Sequence, residues 1–202
     1  MTAIKRIMDA KTQLLQAASN GDVEMVQAAL DAGADIETRD SHQRTPLLLA
    51  ASANHLDVAR VLATAGASPN AQDTTLASAW LVTGVTGSVS MMRALLPAKP
   101  DLRLRNRYGG VSVIPASERG HVDYVRAVLE ETDIDVNHVN NLHWTALLEA
   151  VILGDGGPKH QEIVKVLLEH GADRTIADKD GVTALQHAER LGYWSMVDIL
   201  KS

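Results

Sequence analysis

"DSHQRTPLLLAASANHLDVARVLATAGASPNAQ", residues 40–72, decides the fold. Thr45 followed by Pro46 reads as a helix N-cap hydroxyl with proline at the first helical position, where the missing N–H costs nothing. Leu47, Ala50 and Ala51 then mark one face of a short helix, and the two alanines let a neighbour approach closely. After a polar turn, Val58, Val61 and Leu62 mark a second helix. Gly66 ends it, because the residue past a helix end commonly takes a left-handed conformation that glycine adopts cheaply.

The pattern recurs at a spacing near 33 residues: "GADIETRD" (33–40), "GASPNAQD" (66–73), "DIDVNHVN" (133–140) and "GADRTIAD" (171–178) echo one another. Upstream of each lies a second echo, in "NGDVEMVQAAL", "NHLDVARVLATA", "GHVDYVRAVLEE" and "HQEIVKVLLEH". A third precedes those, in "TQLLQAA", "RTPLLLAA", "WTALLEAV" and "VTALQHAE". Periodicity of this length is the mark of a repeat architecture, in which each unit is too thin to bury its own apolar face and is stabilised by stacking on its neighbours.

Residues 40–72 resemble an ankyrin repeat from the opening Asp to the last position, and the resemblance extends over nearly the whole chain in the windows 7–39, 40–72, 73–105, 106–139, 140–177 and a truncated 178–202. It implies an all-α fold: a single domain over 1–202, an ankyrin-repeat solenoid of about six helix-turn-helix repeats with projecting hairpin-like fingers. Such a short, repeat-only chain points towards a bacterial source. Departures from the family pattern bear on regularity. Where many repeats carry His after Thr-Pro-Leu, this chain has Leu48, Leu81, Ile114, Leu148 and Gln186, so the usual polar ties between repeats are expected to be largely missing. Leu76 replaces a finger glycine, Trp80 occupies a core position, Val111 replaces the Thr cap and Pro115 falls inside a first helix, which it should shorten or distort. The middle of the chain is expected to be its least regular part.

Composition narrows the function. With 19 Lys+Arg against 25 Asp+Glu, the net charge of -6 removes the general attraction on which nucleic-acid binding rests. The absence of cysteine excludes disulfides and thiolate metal sites and fits a reducing compartment. The first thirty residues are interrupted by charges, and no apolar run approaches the ~18 residues that span a bilayer. The expectation is a cytoplasmic monomer, with neither nucleic acid nor membrane among its partners and with no cofactor.

Three stretches invite a chemical reading. "VILGDGGPKH" (151–160) has glycines and a lysine, but a phosphate loop needs Gly-x-x-x-x-Gly-Lys-Ser/Thr after a strand; here Pro158 precedes Lys159, His160 follows it and a helix comes before. In repeat register, Asp155 to Lys159 are five added residues in the turn between two helices. The eight histidines, His121, His138 and His143 among them, lack tight ligand spacing, so no metal is expected. Glu149 and His187 fall at the same first-helix position of adjacent repeats and are expected to touch; with the glycine-rich 154–160 loop they define the alternative function, a small-molecule or metal-binding protein with hydrolytic activity.

The leading reading is a non-enzymatic protein-protein interaction module. The resemblance implies a binding face formed by the finger tips and the exposed side of the first helices, which holds other proteins. On that face the later repeats carry Tyr108, Leu142, Trp144, Ile152 and Leu153, and the strip "RLRNRY" adds Arg105 and Arg107, with Arg119 on the helix behind. These eight residues form the candidate partner-binding set, since aromatic and arginine side chains dominate interface hot spots. The arginines suit a protein or peptide partner with an acidic or carboxylate-bearing segment. The alternatives are that Trp144 packs sideways on the neighbouring finger and that the 155–159 insertion folds over Ile152 and Leu153.

Overall fold

The computed structural model describes residues 9–202; the first two residues of the window 7–39, and the charged start of the chain, lie outside them. The chain divides into two compact units. One is formed by the chain up to Ala79 together with Arg93–Pro100, the other by Trp80–Met92 and Asp101–Ser202. No strand occurs among the described residues, and none of their helices is long and apolar enough to cross a membrane.

In the first unit, α1 (Ala10–Asn20) packs on α2 (Val23–Asp31) and α3 (Pro46–Ser52) on α4 (Leu56–Thr64), while α1 meets α3 and α2 meets α4. The Thr45 hydroxyl accepts from the Leu48 amide at 3.1 Å, and Pro46 is the first residue of α3. Leu47, Ala50, Val58 and Leu62 are buried. Past α4, Gly66 takes φ 97, and the Ala67 amide bonds back to the Leu62 carbonyl.

The division falls inside α5 (Ala79–Thr86) and α6 (Val89–Leu95), and the latter runs into a 3-10 turn, Leu96–Ala98, ending at Lys99 with φ 54. In the second unit follow α7 (Val113–Glu118), α8 (Val122–Glu131), α9 (Ala146–Ile152), α10 (Pro158–Glu169), α11 (Ala184–Leu191) and α12 (Trp194–Lys201). First helices pack in the series α7, α9, α11, and second helices in the series α8, α10, α12. With Val111 in place of the threonine cap and Pro115 inside it, α7 has no side-chain cap and only six residues, the shortest of the described α-helices. Trp80 is fully buried, its indole N–H without a partner. Tyr124, also buried, shares a 2.7 Å hydrogen bond with the Thr83 hydroxyl, and burial pushes its phenol up to about 12.

Polar ties between repeats are present, contrary to the expectation from Leu48 and its equivalents. They come from a residue at the start of the second helices α4, α8 and α10: the His55 Nε2–H donates to the Ser19 carbonyl at 3.1 Å, His121 to Val85 at 3.0 Å and His160 to Glu118 at 2.8 Å. Tyr193 plays the same part with its hydroxyl on the Gly154 carbonyl at 3.2 Å. The ring needs space to cross. Gly87 provides it, at φ 71, where a Cβ would lie 2.5 Å from the His121 ring.

Each finger turns through one left-handed residue, at Gln43, Leu76, Gly109, His143 and Gly181. Leu76, at φ 60, therefore keeps the backbone of a finger glycine despite its side chain. The compensation is an Asx cage. The Asp73 carboxylate accepts from the Thr75 amide at 2.7 Å, the Thr75 hydroxyl at 2.8 Å and the Ala77 amide at 3.0 Å.

Two substitutions test these devices. Asp73→Ala should lower unfolding stability by about 1–3 kcal/mol in urea titration, since it strands finger amides, whereas Asp73→Asn should cost less. Gly87→Ala should cost more than Gly33→Ala, which has the same left-handed backbone but open space around the added methyl.

Candidate functional site

The candidate residues lie on the second unit's fingers and first-helix ends. Asn106 cages one finger, with its Oδ1 accepting from the Tyr108 amide at 2.9 Å and the Gly110 amide at 3.0 Å. Tyr108 is 52% exposed, and the Arg107 guanidinium carbon stands 4.8 Å from its ring centroid, a cation–π pair at the finger tip. The next finger is sewn to this one. The Asn141 amide donates to the Tyr108 carbonyl at 2.9 Å, and His138 Nε2–H donates to the Gly109 carbonyl at 2.7 Å. Tyr108 and Leu142, the latter 48% exposed, are thereby carried on hydrogen-bonded neighbouring fingers.

Arg105 is exposed on the approach to the first of these fingers, whereas Arg119 is exposed at the carboxyl end of α7. Leu153 occupies the corresponding end of α9 and is 47% exposed. Trp144 and Ile152 are half-buried rather than open. Of the eight, Arg105, Arg107, Tyr108, Arg119, Leu142 and Leu153 are exposed and two are partly covered.

The insertion leaves Leu153 exposed. Its polar groups turn to their own segment and to the start of α12: the Gly157 amide and His160 Nδ1 bond to Asp155 Oδ1 at 2.8 and 2.9 Å, Gln161 Nε2 donates to the Gly156 carbonyl at 2.8 Å, and the Gly156 α-carbon lies against the Tyr193 ring. The Gly157 amide and His160 hold the Asp155 carboxyl below its ordinary range. Helix α10 begins at Pro158, two residues before the position expected from His160.

Glu149 and His187 are each engaged with another partner. Glu149 Oε1 accepts from Asn140 Nδ2 at 2.7 Å, and His187 Nε2 pairs with Asp178 Oδ2 at 2.7 Å. Both partners are finger-caging residues nine positions earlier. Asn140 Oδ1 takes the Leu142 and Trp144 amides at 2.9 and 3.1 Å; Asp178 Oδ1 takes the Asp180 and Val182 amides, each at 2.9 Å. The Val182 amide and then His187 hold Asp178 below the usual carboxylate range. Glu149 is the opposite case: 5% exposed, its carboxyl is pushed up to about 7 by burial and by Glu118, against the pull of Asn140. Among the described residues no group of three or more His, Cys, Asp or Glu is placed to hold a metal ion.

Sequence reasoning missed Trp194, which is 65% exposed at the start of α12. Its register equals that of Leu56 and Val122, both half-buried, so periodicity gave no signal. In the first unit an open groove of about 620 Å³ lies along α2 and α4, lined by Leu30, Ile36 and Val61 with Asp31 and Arg60 at its edge, and by none of the candidate residues.

A family profile for ankyrin repeats matches residues 2–73 and 80–178. This chain belongs to the ankyrin-repeat family. It is 40% identical over 186 residues to the putative ankyrin repeat protein YahD of Escherichia coli K12, with 92% of each chain covered. It is also similar to a solved ankyrin repeat domain from Acinetobacter baumannii AYE, at 44% identity and TM-score 0.89, covering 93% of this chain and 95% of that one. The ankyrin repeat protein EF0377 matches at 38% identity and TM-score 0.90, with 94% and 96% covered. Ankyrin-repeat chains typically serve as protein-interaction modules and are generally not enzymes.

Glu149 makes stability depend on pH. Its folded value near 7 exceeds the unfolded 4.5, so its proton favours the folded chain; the contribution is complete below pH 4.5 and is lost as pH rises to about 7. The loss amounts to roughly 3 kcal/mol. Urea titrations at pH 5 and pH 8 should show the decline in the natural sequence, and Glu149→Gln should remove most of it.

Proposed function

We propose that this chain is a non-enzymatic binding module that holds a partner protein or peptide on the second unit's fingers and first-helix ends. The observation that carries the reading is that five of the nine large exposed apolar side chains among the described residues fall there: Tyr108, Val139 and Leu142 on fingers, Leu153 and Leu191 at first-helix ends, with Met25, Leu76, Val85 and Trp194 outside the set. Exposed apolar surface of this kind marks interaction sites, and tyrosine beside arginine is the composition of interface hot spots. Arg105, Arg107 and Arg119 favour an acidic or carboxylate-bearing segment of the partner against a chain of net charge -6. Trp144 and Ile152 belong to the proposed face with the part of their surface that stays open.

The same net charge argues against nucleic acid as the ligand. We place the chain in the cytoplasm as a monomer, in keeping with its lack of cysteine. A hydrolytic or small-molecule site built on Glu149 and His187 gains no support, because each side chain is occupied by the finger residue of its own repeat.

Affinity capture from the native host tests the reading. The double substitution Tyr108→Ala with Trp144→Ala, and separately Leu142→Asp at an exposed position, should weaken capture of the same partner about 30-fold or more, as loss of anchors worth about 2 kcal/mol implies. Helical circular dichroism should be retained in both. Undiminished capture by folded variants refutes the proposed face.

A further inference from the structure

Five fingers share the Asx cage, but the residue nine positions beyond the cage differs among them. It is Leu49, Val82 and Pro115 after Asp40, Asp73 and Asn106, side chains that cannot titrate. After Asn140 it is Glu149, a buried carboxyl, and after Asp178 it is His187, whose ring is paired with the Asp178 carboxylate itself. Asn140 therefore works at both ends: its Oδ1 holds the Leu142 and Trp144 amides, and its Nδ2 donates to Glu149 Oε1 at 2.7 Å. The finger that carries two candidate anchors is fastened to α9 through a group that can gain or lose a proton.

We propose that Glu149 is a proton-controlled latch on the finger 140–145, closed when the carboxyl is protonated and loosened when it is ionised. The inference rests on the binding reading above, since it regulates how Leu142 and Trp144 are presented. Helix α9 packs against α7, α10 and α11. From α7, Glu118 bears on Glu149 with like charge, and Arg119 at that helix's end is exposed to solvent. Of the titratable groups on the other two helices, His160 is engaged with Asp155 and the Glu118 carbonyl, His187 with Asp178, Glu189 with Lys201, and Glu162 with Arg126 and Lys165. The finger itself contributes the uncharged Asn140. A neutral Glu149 sits beside Glu118 without repulsion. An ionised one accepts more strongly from Asn140, but it is a buried charge facing a second carboxylate, and these larger costs are relieved when the finger lifts and water enters.

Amide hydrogen exchange of the intact protein, read residue by residue by NMR from pH 5.5 to 8.5 and divided by the intrinsic rate at each pH, tests the latch without any partner. Protection of the Leu142 and Trp144 amides should fall about tenfold or more through neutral pH, while the Tyr108 and Gly110 amides, caged by Asn106, hold theirs. Glu149→Gln should keep Leu142 and Trp144 protected throughout. Glu118→Gln, which leaves Glu149 in place and removes the like charge beside it, should let Glu149 ionise earlier and shift the fall to lower pH. Protection that is flat or rises with pH in the natural sequence, or an unchanged fall in Glu149→Gln, overturns the latch. Because no partner is present, such a result leaves the binding face standing, and failure of the capture test leaves the latch standing.

Discussion

Every described finger hangs on one side-chain oxygen. Asp40, Asp73, Asn106, Asn140 and Asp178 each accept from the backbone amides two and four residues on, at 2.7 to 3.1 Å. The caging residue's own amide closes the loop by bonding to the carbonyl four residues on, as Asp40 does to Arg44 and Asn140 to Trp144. Hydrogen bonds of this kind are worth about 1 kcal/mol each, and more to a carboxylate. They offset the strain of the left-handed residue inside the cage, which is why Gln43, Leu76 and His143 are tolerated where glycine would be easier. With the turn fixed by its first residue, the tip is released from any structural duty. Tyr108 and Leu142 can be large, apolar and exposed because nothing in the finger depends on their side chains.

The cage orders a finger, whereas a second constraint sets neighbouring helix pairs in register. At the starts of α4, α8, α10 and α12 a ring side chain reaches a carbonyl at or just past the end of the preceding repeat's first helix, through His55, His121, His160 and Tyr193. That carbonyl is one of the orphan acceptors that every helix end leaves, so the bond satisfies a cost of helix formation and joins two repeats at once. Where the cage and the helix meet in one residue, as at Asn140, finger geometry becomes answerable to the protonation of Glu149.

The fold was legible because its signals are short-range and repeated. Thr45, Pro46 and Gly66 announce helix ends by local backbone chemistry, and the recurrence near 33 residues turned weak signals into a strong one. The short α7 followed from Val111 and Pro115 for the same reason. The candidate site was legible by register but not by depth. Tyr108, Leu142 and Leu153 are as exposed as their places imply, while Trp144 and Ile152 are half-covered, because coverage depends on neighbours that one repeat's pattern does not describe. The predicted meeting of Glu149 with His187 came from equating register with contact; each side chain found a nearer polar partner within its own repeat. The polar ties were sought at the residue after Thr-Pro-Leu, although the histidines that make them were already visible at the starts of the second helices.

The stretch 151–160 shows how a repeat absorbs extra chain without losing its place. Five added residues could break the stacking on both sides, yet His160 still reaches the Glu118 carbonyl behind it and Tyr193 still reaches the Gly154 carbonyl from ahead. Register is kept because both bonds are made by residues flanking the insertion rather than by the insertion. The added polar groups satisfy one another: Asp155 binds the Gly157 amide and His160, Gln161 binds the Gly156 carbonyl, and Pro158 opens the helix where its lack of an N–H is harmless. Glycine is required at 156 by its φ of 71 and by the Tyr193 ring 2.5 Å from where a Cβ would lie. The glycines that suggest a phosphate cradle are thus explained by packing, and the lysine beside them by an exposed first turn. The Gly157 amide, His160 Nδ1 and Gln161 Nε2 are spent on the segment's own closure.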